Sequence, residues 1–201
     1  MKFSTDWFSH HEAQWRELMA GMQWRADQPL AALEIGSFEG RSSTWLLRNV
    51  LVHPESRLFC VDSFEGGIEH GPSLTTGLFE RFQSNITETG YAHKVCVRRG
   101  YSGPELIRLI HEGERFDFIY IDGSHQARDV LEDLVLAFRA AKVGCLILCD
   151  DYIWSMEPPG REDILNSPKL AVDAFTSIYS RQLRLVRHQR LNQLAFIKTQ
   201  D

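Results

Sequence analysis

Two apolar runs of strand character, residues 116–121 and 144–149, each lead straight into carboxylates: Asp122 after the first, Asp150 and Asp151 after the second. The stretch between them is the length of a helix. A strand–helix–strand unit has parallel strands joined by a right-handed crossover, so both carboxyl ends emerge at one edge of the sheet. Asp122, Asp150 and Asp151 are therefore expected to converge. Three acids in one place repel one another unless positive charge sits among them, and a hard divalent cation with oxygen ligands meets that need.

The rest of the chain repeats the alternation. Residues 30–36 read as the first core strand, ending on Gly36, with a turn through Ser37 and Phe38 into a helix over 44–52. A strand, a glycine turn and a helix N-terminus suit close approach by a ligand and offer unpaired N–H groups. Phe38 and Arg41 stand where the dinucleotide fingerprint needs glycine, so the turn fits a nucleotide-like ligand or a purely structural corner. A second strand, 56–61, ends on Asp62, which is placed either to accept two hydrogen bonds from a ribose diol or to cap a turn.

The loop 65–77 holds Gly66, Gly67, Gly71, Pro72 and Gly77 and reads as an irregular lid carrying His70. A helix over 78–89, a strand over 95–99 and a helix opening at Pro104 follow. The crossover helix, about 126–142, has Leu131, Leu134, Val135 and Phe138 expected inward and Asp129, Glu132, Asp133 and Arg139 outward. After the loop 153–166, Ser167-Pro168 caps a last helix. Residues 183–186 and 194–197 close the chain as a hairpin. The repeated Ser-Phe-Glu-Gly at 37–40 and 63–66 reads as coincidence.

At 201 residues the chain is sized for one α/β domain, with 1–29 as an N-terminal helical segment and 30–198 as the core. A net charge of −5 gives no reason to expect nucleic acid or an anionic membrane as partner. No apolar stretch is long enough to span a bilayer, and the first residues lack a signal-peptide profile. Cys60, Cys96, Cys145 and Cys149 sit in or beside apolar runs as buried thiols, and a reduced, cytoplasmic setting fits them. Phe8, His11, Trp15, Leu18, Met19 and Met22 form a stripe at helical spacing, read either as a packed helix or as a flap or homo-oligomer element near the site. Arg181, Arg184, Arg187 and Arg190 read as a solvated edge-strand face.

Four motifs in order carry a resemblance: Glu34-Ile35-Gly36-Ser37, Asp62-Ser63-Phe64-Glu65-Gly66, Ile121-Asp122-Gly123-Ser124-His125 and Asp150-Asp151-Tyr152, each after a strand. Together they resemble the class I S-adenosylmethionine-dependent methyltransferases. Within that class the chain is similar to the Mg²⁺-dependent O-methyltransferases of the macrocin/TylF type, and more distantly to the catechol and caffeoyl-CoA enzymes. The resemblance implies an α/β fold with a Rossmann-like, seven-stranded, mostly parallel sheet, helices on both faces and an antiparallel C-terminal hairpin. It implies that Glu34, Gly36 and Ser37 line the methionine and ribose side of the cofactor, that Asp62 holds the ribose hydroxyls with Ser63 and Phe64 beside the adenosine, and that Tyr101 and Ser102 meet the adenine. Asp122, Asp150 and Asp151 become the Mg²⁺ (or other divalent cation) ligands, Asp122 bordering the cofactor as well. Catechol-type enzymes carry Asp-Asn where this chain has Asp150-Asp151, and a lysine where it has His125; the macrocin-like branch shares both features.

Displacement at a sulfonium methyl needs alignment and an anionic nucleophile, and a bound divalent cation lowers the pKa of an alcohol. His125 is placed either to take the alcohol proton or to orient Asp122. Three readings result: a metal-dependent O-methyltransferase of a small hydroxylated molecule, a metal-independent methyltransferase with His125 as base, and a non-catalytic S-adenosylmethionine-binding protein. Specificity is expected from the N-terminal segment and the loops 65–77 and 153–166.

Overall fold

The computed structural model describes residues 1–25, 27–187 and 192–201. Seven strands form one sheet: β1 (Ala31–Ile35), β2 (Arg57–Asp62), β3 (Val95–Arg99), β4 (Phe116–Ile121), β5 (Ala141–Cys149), β6 (Leu183–Val186) and β7 (Leu194–Lys198), in the spatial order 3-2-1-4-5-7-6. β1 to β5 run parallel, and β7 is antiparallel to both β5 and β6, as expected from the sequence. The order reverses between β1 and β4, the switch point at which open α/β sheets bind ligands.

Strict alternation along the strands sorts the core into two layers. Leu33, Ile35, Phe59, Val61, Ile119, Ile121, Cys145, Ile147 and Cys149 face α5 (Ser102–His111), α6 (Ala127–Ala140) and α7 (Pro168–Ile178). Ala32, Leu58, Cys60, Phe118, Tyr120, Leu146 and Leu148 face α1 (Glu12–Gly21), α2 (Arg41–Asn49) and α4 (Leu78–Glu88). Cys145 and Cys149 thus share a face as packing residues. A four-residue helix, α3 (Pro72–Thr75), lies in the glycine-rich loop.

The N-terminal stripe is a packed helix. Trp15 is fully buried and meets Phe8, Trp45, Phe118 and Tyr120 edge-on at 4.8–5.7 Å, while its Nε1 donates to Gln193. The residues before the helix lie at the cleft, where Phe3, Thr5 and Trp7 form part of the lining.

Several boundaries differ from the sequence reading. α2 begins at Arg41, three residues before Thr44, and α5 begins at Ser102, so Pro104 falls at its third position. In α6 the buried face runs through Ala127, Val130, Asp133, Leu134, Ala137 and Phe138, leaving Leu131 exposed and Asp133 inside. Small alanines mark the face that approaches the sheet, and a reading that follows bulk alone rotates the helix. Arg181, Arg184 and Arg187 are exposed around edge strand β6, and Arg190 lies outside the described residues. No helix among the described residues is long and apolar enough to cross a membrane.

Candidate active site

A cleft of about 970 Å³ opens at the carboxyl ends of β1, β2, β4 and β5. Gly36 forms its floor with φ +84°; a Cβ there would stand 2.0 Å from the backbone oxygen of Asp122. Glycine at this position lets the tips of β1 and β4 close on each other. The two Ser-Phe-Glu-Gly segments, read from sequence as a coincidence, are one turn used twice. Phe38 and Phe64 have φ +48° and +58°, and Gly40 and Gly66 have φ +79° and +80°.

Asp62 binds the two turns together. Its Oδ2 accepts from the N–H groups of Ser37 and Phe38, each at 2.8 Å, and its Oδ1 from Phe64 N–H at 2.6 Å. A carboxylate has lone pairs beyond these three bonds, and Asp62 faces the cleft, so pinning the turns and meeting a diol are compatible. Asp62→Ala is therefore expected to weaken the affinity for a ribose-bearing ligand by ~1.5–3 kcal/mol, the scale of hydrogen bonds to a charged group, and to lower thermal stability in parallel. Calorimetric titration beside a melting curve checks both; unchanged values of the two would remove Asp62 from the site.

Glu34 does not line the cleft. It is fully buried, and its carboxylate accepts from the hydroxyls of Ser37 (2.7 Å), Ser42 (2.5 Å) and Ser43. Burial raises its pKa, and the three hydroxyls oppose that shift. Its position makes it the post that ties β1 to the start of α2. Phe64 is likewise buried, against Phe79 and Phe82, whereas Ser37, Ser63, Tyr101 and Ser102 line the cleft. Tyr101 Oη donates to Glu65 at 2.8 Å, joining the start of α5 to the glycine-rich loop.

At the other end of the cleft the three aspartates converge as the topology requires, though not equivalently. Asp150 is buried, and its carboxylate accepts from Tyr120 Oη, from Gln193 Nε2 at 2.9 Å and from Asp151 N–H at 2.8 Å. Tyr120 also reaches Asp122 at 3.0 Å. Asp122, His125 and Asp151 present one ligand atom each within 4.8 Å of one another, a set with the reach of a metal site. Two hard carboxylate oxygens and one imidazole nitrogen suit a divalent cation, so the residues fit one, with Asp150 standing behind the cluster rather than in it. Asp151 holds φ +52°, a conformation that aspartate tolerates better than most residues and that turns its carboxylate back over the cleft.

Electrostatics follow from the crowding. Burial, then Asp150 and Asp151, push Asp122 well above the usual carboxylate range, and burial with Asp151 pushes Asp150 up to about 6. His125 moves the other way for its class. Burial opposes its charge, but Asp151 (Nε2···Oδ2 2.7 Å) and Glu69 (Nδ1···Oε1 3.0 Å) outweigh it and raise its pKa to about 10.

Sequence reasoning missed several participants, Gln193 behind Asp150 among them. Glu69 comes from the 65–77 loop to clasp His125, and Trp154 packs on the same imidazole at 4.2 Å. Trp7 stacks on His70 at 5.4 Å with planes 9° apart. Tyr120 read as a strand residue, yet its hydroxyl bridges two of the acids. Period-two alternation with Asp122 and Asp150 places Tyr120 near the strand edge, which is the one signal that pointed to it; for the loop residues there was none. The three segments expected to set specificity do meet here.

Residues 33–152 match a family described as a methyltransferase domain. No curated protein sequence matches the chain. Among solved structures, the O-methyltransferase TomG of Streptomyces achromogenes, solved with S-adenosylmethionine, superposes with TM-score 0.68 at 22% identity, covering 94% of this chain and 80% of that one. Rv0187 from MTB, solved with its cofactor bound, gives TM-score 0.68 at 20% identity over 98% and 85% of the two chains. An O-methyltransferase of Bacillus cereus in complex with SAH gives 0.63 at 18% identity over 92% and 90%.

Proposed function

This chain belongs to the methyltransferase-domain family, and from that premise we propose that it is an S-adenosylmethionine-dependent O-methyltransferase that uses a divalent cation, Mg²⁺ or a similar ion, on a small hydroxylated molecule. The observation that carries the reading is the grouping of Asp122, His125 and Asp151 at the rim of a cleft whose floor is the Gly36 turn. S-adenosylmethionine supplies an electrophilic methyl on a sulfonium, and a divalent cation supplies Lewis acidity that makes an alcohol acidic near neutral pH.

The chain's own residues do the remaining work. Gly36, Ser37, Asp62, Ser63, Tyr101 and Ser102 form the wall that holds the cofactor. Asp122 and Asp151 are the cation ligands, with Asp150 and Tyr120 fixing Asp122 from behind. His125, held protonated between Asp151 and Glu69, would have to shed that proton as Asp151 turned to a cation before its Nε2 took one from the acceptor, while Glu69 keeps Nδ1 in place. Geometry comes first in such an assignment, and Nε2 is the ring nitrogen turned toward the acid cluster.

Isothermal titration with S-adenosylhomocysteine, with and without Mg²⁺, tests cofactor and cation together; absence of binding in both would sink the reading. Metal binding also carries a pH signature, because the ligands and the groups packed around the ion must shed protons first. Burial and Asp151 push Asp150 up to about 6, and, against burial, Asp151 with Glu69 push His125 up to about 10. Affinity for Mn²⁺ is therefore expected to fall below about pH 6 and to rise toward alkaline pH. Protons should be released on binding at pH 7.5, read from titrations in two buffers of different ionisation enthalpy. Binding without proton release would remove His125 and the acids from the ion's surroundings.

A second reading is favoured by one observation: Tyr120, Gln193 and the Asp151 N–H satisfy Asp150 with no cation. A metal-independent methyltransferase with His125 as base would keep its activity in EDTA and gain turnover toward pH 10, where His125 loses its proton, whereas the metal-dependent enzyme loses activity in EDTA.

A further inference from the structure

The acceptor end of the cleft has an aromatic and an electrostatic character that methyl transfer by itself does not require. Trp7, in the N-terminal segment, is half exposed; it stacks on His70 and lies 5.2 Å from Phe38. Trp154, on the 153–166 loop, lies over His125. Both indoles line the cleft, from different segments, and Trp154 is the one that lies over the proposed base. Indole faces offered to a cleft gain most from a second flat or ring-shaped surface, or from a cation over the ring.

Charge narrows the choice. Among the described residues lining the cleft, nine are aspartate or glutamate, two are arginine and none is lysine. One arginine is already engaged, and the other stands out in solvent at the cleft's edge. Arg41 is held by the Thr5 carbonyl at 3.1 Å, by Asp6 and by the Phe3 ring. Arg128 pairs with Asp129 and points into solvent, its side chain 86% exposed. The balance stays negative after the charge on His125, a divalent cation and the single net positive charge of the cofactor are all counted. A phosphate or carboxylate entering here would lose its hydration among surplus carboxylates and find no lysine or buried arginine among the described lining residues to replace it.

We propose, resting on the methyltransferase reading above, that the acceptor is a hydroxylated ring compound that is neutral or bears a protonated amine, and that phosphorylated and carboxylated acceptors, nucleotide-linked sugars included, are rejected. Trp7 and Trp154 bracket the ring, and the surplus acids set the sign of the charge that is admitted.

Two matched sets of probes test this by isothermal titration into protein saturated with S-adenosylhomocysteine and Mg²⁺: 1,2-dihydroxybenzene and dopamine against 3,4-dihydroxybenzoate, and methyl glucoside against glucose 6-phosphate. In at least one set the neutral or aminated member is expected to bind at least tenfold tighter than the anionic one. Trp7→Ala and Trp154→Ala should each weaken that binding at least fivefold while the affinity for S-adenosylhomocysteine stays within twofold. An anionic member that binds as well or better overturns the proposal, and so does failure of every probe on protein that still binds S-adenosylhomocysteine. Failure to bind S-adenosylhomocysteine itself strikes the methyltransferase reading instead, so the two failures are distinguishable.

Discussion

Gly36→Ala is expected to lower the midpoint of thermal unfolding by roughly 10 °C, more than any other single added methyl group among the glycines of this chain. The added Cβ would lie 2.0 Å from the Asp122 oxygen and 2.5 Å from its carbonyl carbon, both backbone atoms with no rotamer to escape into. Left-handed φ adds about 1–2 kcal/mol and overpacking about 1–3 kcal/mol more. Gly90→Ala is the control: its φ is +78°, yet nothing lies within 4 Å of its Cβ position, so it bears only the conformational share. Melting curves of the two variants separate collision from strain. Equal shifts would mean that the β1 and β4 tips are not in contact, and the convergence of the site would go with them.

That contact explains how much of the site was legible in the sequence. Strand ends are fixed by apolar runs, and parallel pairing then gathers whatever follows each run, so Asp62, Asp122, Asp150 and Asp151 could be placed on one edge without knowing any side-chain contact. What could not be read was direction at short range. Glu34 stands one residue before the tip of β1, and the pleat turns it to the α2 side, where three serine hydroxyls hold it. The same one-residue logic puts Asp150 behind the cluster and Asp151 in it, and it is the left-handed φ of Asp151 that swings its carboxylate round.

Elsewhere the limits came from packing partners. Asp133 read as a solvent-facing acid of α6, but α5 and α7 cover both flanks of that helix, and only 1% of Asp133 is exposed. Burial raises its pKa to about 7, against the hydrogen bond from Ser102. Loop residues were harder still. Nothing in the composition of 65–77 marks Glu69 over Glu65, since the choice is made by how α3 and the Trp7–His70 stack orient the loop.

His125→Ala is expected to reduce kcat by about 10²–10⁴, the usual contribution of a positioned general base, with little change in the affinity for S-adenosylhomocysteine. The alanine variant alone does not distinguish a base from a strut, because His125 also holds Glu69 and Asp151 apart. His125→Gln keeps a side chain able to bond both carboxylates and removes the capacity to accept a proton. If His125 only orients its neighbours, glutamine restores most of the turnover; if it carries the proton, glutamine is as inactive as alanine. Stability gives an independent reading of the same contacts. Because the folded pKa, about 10, lies above the ordinary 6.5, the imidazolium stabilises the fold fully below about pH 6.5 and ceases to as the pH rises through 10. The alanine variant should therefore lose stability at pH 6 and little at pH 10.5, whatever its activity. A destabilisation independent of pH would mean that the clasp of Glu69 and Asp151 on His125 is absent in solution, and with it the geometry from which the proton is taken.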